Sequence, residues 1–111
     1  MASLLFFNGN ELFSLFSEAP KVTVTPQKSR IKIGEPAELT CIASGSPSPQ
    51  LTWRKLNGSL PVSSTVLDGV LRIANVTQED AGIYFCEASN VEGTAEGNGT
   101  LKIKGTMHVK T

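Results

Sequence analysis

Apolar side chains recur at every second position through the middle of the chain. In KVTVTP, Val22 and Val24 share a face, and in RIKIG, Ile31 and Ile33 point one way while Arg30 and Lys32 point the other. A period of two is the signature of half-buried strands. Pro26 sits between these runs and has no amide to donate, which predicts one edge strand broken in two. AELTCIA then sets Ala37, Leu39, Cys41 and Ala43 on one face, and the SGSPSP that follows is too rich in turn residues to be helical. QLTWRKL sends Leu51 and Trp53 inward, and NGS behind it is a turn signal. SLPVSSTVLDG is ambiguous and is expected to carry one short strand. VLRIANV directs Leu71 and Ile73 to the core, GIYFCEAS directs Tyr84, Cys86 and Ala88, and GTLKIKG directs Leu101 and Ile103. The pattern predicts an all-β fold of seven to eight short strands.

The ends read differently. Residues 1–19 hold two apolar clusters, 4–7 and 12–16, interrupted by NGNE and with no Lys or Arg ahead of them. That is a poor secretion leader, since the positive leading region is missing and the apolar run is broken. The expectation is a mobile or partly helical tail outside the fold, as in a fragment or an unusual isoform. Residues 20–104 form one domain, and residues 105–111 a linker or tail. No stretch reaches the roughly 18 to 20 apolar residues that span a bilayer.

Composition narrows the function classes. With 111 residues, 40% of them hydrophobic, the chain can close one modest core. Ten basic and ten acidic residues cancel, so no global field draws nucleic acid or a membrane surface toward it, and any electrostatic partner must be held by a local patch. Cys41 and Cys86 are too far apart for a CxxC site, and His108 is the only histidine, so a zinc cluster or a Cys–His nucleophile lacks its parts. One structural disulfide is the favoured reading. Closing a loop of about 45 residues would stabilise the fold by roughly 4 kcal/mol and implies an oxidising compartment.

Cys41, Trp53 and the run Asp80, Gly82, Tyr84, Cys86 resemble an immunoglobulin-superfamily domain. The resemblance implies a β-sandwich of two antiparallel sheets, a bridge between them covered by the Trp, and a tyrosine corner in DAGIYFC whose chemistry is structural. It makes Trp53, Leu71, Asp80, Gly82 and Tyr84 the core signature. Only about 30 residues separate Trp53 from Tyr84, too few for the extra hairpin of a variable domain, which fits the intermediate set, or I-set. GSPSPQLTWRKLNGSLP, GVLRIANVTQEDAGIYFCEASNVEG and GTLKIKG are similar to the tandem repeats of perlecan-type basement-membrane proteoglycans. That likeness implies a non-catalytic binding and spacer module of a secreted matrix or cell-adhesion glycoprotein. The competing member of the same fold is an intracellular sarcomeric, titin-like module, whose cysteines could remain thiols.

Several surface positions carry candidate chemistry. Ile83 and Phe85 should face outward beside Arg54, an aliphatic–aromatic pair suited to a protein partner, although isolated surface apolar residues are ordinary. In the family's topology Arg30 and Lys32 would lie beside Lys102 and Lys104, a stripe suited to heparin or heparan sulfate, although lysines also protect edge strands. Asn57, Asn75 and Asn98 begin Asn-x-Ser/Thr tripeptides and are candidate N-glycosylation sites, with Asn57 alternatively a type I′ turn residue. Glu79 and Asp80 are adjacent acids, but no histidine is placed to activate a Ser or Thr, and no phosphate loop or nucleic-acid motif is present. No enzyme, cofactor, metal, nucleic-acid partner or membrane insertion is expected.

Overall fold

The computed structural model describes residues 6–8, 11–13 and 17–105. Two short strands near the start, β1 (Phe6–Asn8) and β2 (Glu11–Phe13), pair with each other antiparallel. Within the tail expected to be mobile or partly helical, these two segments are strand, as their Phe and Leu residues favour. His108 lies outside the described residues.

The sandwich comprises β3 (Glu18–Thr25), β4 (Lys28–Lys32), β5 (Ala37–Ser46), β6 (Gln50–Lys55), β7 (Ser64–Leu67), β8 (Val70–Ile73), β9 (Gly82–Asn90) and β10 (Gly93–Lys104). A single 3-10 turn, Gln78–Asp80, precedes β9. One sheet has the order β3-β5-β8-β7 and the other β4-β10-β9-β6. All described pairings are antiparallel except β4 with β10, which run parallel. The chain changes sheets at Pro26, between β3 and β4, where proline interrupts the ladder as its missing donor requires. The first sandwich strand starts at Glu18, two residues ahead of the boundary read from the sequence, and Pro20 within it is buried.

Alternation along the strands fills the space between the sheets. Val24, Leu39, Leu71, Ile73, Tyr84 and Leu101 are almost fully buried, each contributing on the order of 1.5–3 kcal/mol from removal of its surface from water. Cys41 and Cys86 are bonded across this core, their Cα atoms 6.2 Å apart. Trp53 faces Cys86 across β6 and β9, and its indole N–H donates to the carbonyl of Gly69 at 3.2 Å. That carbonyl also accepts from the Cys41 N–H at 2.9 Å. Gly69 (φ 81) follows Asp68 (φ 51) in the two-residue turn joining β7 and β8, and a Cβ there would stand 2.9 Å from the Cys41 carbonyl oxygen. Glycine alone suits both the turn and the close approach.

Candidate functional site

The outer face of the β4-β10-β9-β6 sheet gathers most of the surface side chains singled out in the sequence. Because Tyr84, Cys86 and Ala88 fill the core, Ile83, Phe85 and Glu87 must face out from β9. By the same alternation Arg54 faces out from β6, Asn98, Thr100, Lys102 and Lys104 from β10, and Lys28, Arg30 and Lys32 from β4.

One end of this face is basic. In the parallel ladder Lys102 lies beside Arg30 and Lys104 beside Lys32, and all four are exposed. The next rung sets Thr100 beside Lys28, a fifth exposed cation that the reading of RIKIG did not reach. Carrying the alternation one step further back from Arg30 would have found it. Glu38 lies on the other sheet, where it pairs with Arg72 at 3.1 Å. The second ion pair among the described residues, Arg54 with Glu96 at 2.7 Å, also involves none of the five cations.

The centre of the face is partly closed on itself. Phe85 lies between Arg54 on β6 and Asn98 on β10 in one rung. The Arg54 guanidinium carbon stands 4.3 Å from the Phe85 ring centroid, and Nη2 of the same group donates to Glu96. Phe85 and Ile83 face outward as expected but are half-buried rather than fully exposed, and the arginine expected to flank the patch lies across its aromatic member.

The three sequon asparagines are exposed in different places. Asn57 follows β6 with φ 60, while Gly58 is not in the left-handed region, so the turn is not type I′. Asn75 lies in the loop between β8 and the 3-10 turn. Asn98 projects from β10 beside Phe85.

The remaining signature residues brace the lower end of the sandwich. The Tyr84 hydroxyl donates to the Asp80 carbonyl at 2.6 Å, the corner expected in DAGIYFC. Burial, with the nearby Asp80 charge adding to it, pushes the phenol up to about 12. The Asp80 carboxylate accepts from the Thr77 N–H at 2.8 Å, closing the turn that leads into β9. Lys55 Nζ donates to the Glu79 carbonyl at 2.6 Å and lies 5.8 Å from the Tyr84 ring centroid. Gly82 leaves room for it: a Cβ there would meet Lys55 Cε at 3.0 Å. Among the described residues no group of three or more His, Cys, Asp or Glu is placed to hold a metal ion.

A family model described as "Immunoglobulin domain" matches residues 19–90. The chain belongs to the immunoglobulin-domain family. The mouse basement membrane-specific heparan sulfate proteoglycan core protein is 36% identical over 89 residues, which is 80% of this chain and 2% of that protein. Mouse vascular endothelial growth factor receptor 2 is 39% identical over 101 residues, 87% of this chain and 8% of the receptor. The chain thus spans a small fraction of the length of these immunoglobulin-domain relatives. Among solved structures, a chain of the titin M10–obscurin-like 1 Ig complex superposes with a TM-score of 0.71 at 27% identity, covering 82% of this chain and 99% of that one. The N-terminal four Ig domains of Dscam1 isoform 8.4 give a TM-score of 0.70 at 28% identity, covering 79% of this chain and 21% of that one. The immunoglobulin-domain relatives are mostly extracellular matrix and surface proteins, and titin-like domains occur among the structural neighbours.

Proposed function

We propose that this chain is a non-catalytic binding and spacer module of an extracellular matrix or adhesion glycoprotein, and that the basic end of its outer sheet holds sulfated glycosaminoglycan. The observation that carries this reading is the pairing of Lys102 with Arg30 and Lys104 with Lys32 in successive rungs, with Lys28 next in line. Like charges directly opposite one another in a ladder are destabilising. Neighbouring strands are about 4.8 Å apart, so the rungs form a compact array that a multivalent anion neutralises through charge-assisted hydrogen bonds. The bonded sulfurs of Cys41 and Cys86 support an oxidising compartment, and the proteoglycan core protein among the relatives supports a matrix setting.

The unglycosylated chain should be retained on immobilised heparin at low salt and released as salt rises, because exposed charges are screened within about 10 Å at 0.1 M. Reversing Arg30 and Lys102 together to Glu should abolish retention, while Lys21→Glu on β3 of the other sheet should leave it nearly unchanged. Retention indifferent to the double reversal would refute the reading.

The titin-like structural neighbours support one competing reading, an intracellular sarcomeric module. Mass measurement under nonreducing conditions on native material separates the two. A bonded cysteine pair favours the extracellular module, and two free thiols without glycan mass favour the sarcomeric one.

A further inference from the structure

We propose that Asn98 carries an N-linked glycan that overlies Phe85 and reaches the first rung of the basic array, so that glycan occupancy sets how open the face is to polyanions. The inference rests on the glycosaminoglycan reading above and adds its regulation.

The direction of Asn98 is fixed by its neighbours. In Gly97–Asn98–Gly99–Thr100 the two glycines face the sandwich interior, so the sequon's Asn and Thr both face out. A Cβ at Gly97 would stand 2.9 Å from Val22 Cγ1, and one at Gly99 would stand 3.0 Å from the Pro26 carbonyl oxygen and 3.1 Å from Val24 Cγ1. A slip of β10 by one residue would drive the Asn98 and Thr100 side chains into β3, so the outward register is locked.

Position then decides what a glycan at Asn98 would cover. Asn98 is the rung partner of Phe85 on one side. On the other side it opens onto a shallow groove of about 420 Å³ whose walls include Val22, Val24, Gln27, Lys28 and Thr100. Asn98 and Lys28, the first cation of the array, line the same groove. Sugars seated along it would stand between Lys28 and an approaching polyanion. Asn75 adjoins a different depression, beside Pro61, Val62 and Thr77, and a glycan there would leave the basic face open.

The test compares the full chain made in bacteria with the same chain secreted from mammalian cells behind an added leader, using heparin chromatography and peptide mass analysis. A glycan mass on the Asn98 peptide, with wild type from mammalian cells released at lower salt than the bacterial protein, is expected. Asn98→Gln and Thr100→Ala, each of which destroys the sequon, should both return elution of the mammalian product toward the bacterial position. Asn75→Gln should not. A bare Asn98, or a loaded Asn98 whose removal leaves elution unmoved, would overturn the proposal. Should the bacterial protein itself pass unretained, the glycosaminoglycan reading fails and the gating fails with it, while the peptide mass still decides whether Asn98 is an acceptor.

Discussion

Arg54 and Phe85 act as one unit on the outer sheet, the guanidinium carbon 4.3 Å from the ring centroid while Nη2 of the same side chain reaches Glu96 at 2.7 Å. A flexible cation anchored at its far end covers an aromatic ring that would otherwise face water. The arrangement converts an adhesive-looking patch into a partly self-satisfied one, and it shifts the interest of the face toward the uncovered cations at its other end.

The stack should be measurable. Arg54→Ala and Phe85→Ala, alone and combined, should show a coupling of about 0.5–1 kcal/mol in thermal or denaturant unfolding, the range of an exposed cation–π contact. The exposed ion pair to Glu96 adds little to this. Because Phe85 is half-buried, Phe85→Ser should itself cost about 1–2 kcal/mol, a fall of roughly 5–10 °C in Tm. Strict additivity of the two alanine changes would mean that the contact carries no energy.

Gly99 should resist replacement. An added methyl would meet the Pro26 carbonyl oxygen, Val24 and Leu39 at 3.0, 3.1 and 3.3 Å, with backbone and two packed side chains having to move together. Gly99→Ala is therefore expected to destabilise by roughly 1–3 kcal/mol. At Gly58 the nearest atom to an added Cβ is the flexible Lys55 Cδ at 3.8 Å, so Gly58→Ala should be neutral or slightly stabilising through the unfolded chain. Equal costs at the two positions would contradict the close approach of β3 to β10.

Tyr84 predicts an alkaline limit to stability. Its phenol is pushed up to about 12, whereas an unfolded tyrosine titrates at about 10. The folded state thus holds this proton more tightly than the unfolded chain. The resulting stabilisation is complete below about pH 10 and is lost as pH rises toward 12, amounting to about 2–3 kcal/mol. Because the chain has one tyrosine, phenolate absorbance reports this group alone. A midpoint near 10 in the folded protein would remove the effect.

Much of the architecture was legible because strand alternation is a local property. Val24, Leu39, Leu71, Tyr84 and Leu101 are buried as their spacing required, and Pro26 marked the change of sheet because a residue without an amide donor interrupts a ladder wherever it falls. The Asp68-Gly69 turn carried a signal of the same local kind that the reading did not use, since Asp-Gly between strand runs marks a two-residue hairpin. The candidate site was legible only in part. Alternation gave the outward direction of Phe85 and Lys102, but the reach of Arg54 across the ring depends on a side-chain conformation, which has no period in sequence.

The sequence by itself determined the strands, their inward faces and the residues available for a bridge and a corner, since each follows from chemistry within a few positions of chain. Only the tertiary structure decided that Thr100 is the rung partner of Lys28, that Glu38 pairs with Arg72, and that Asn98 stands beside Phe85. Those relationships are set by which strands become neighbours and in what register. Register is fixed by long-range packing, such as Gly97 and Gly99 against β3, and no local pattern contains it.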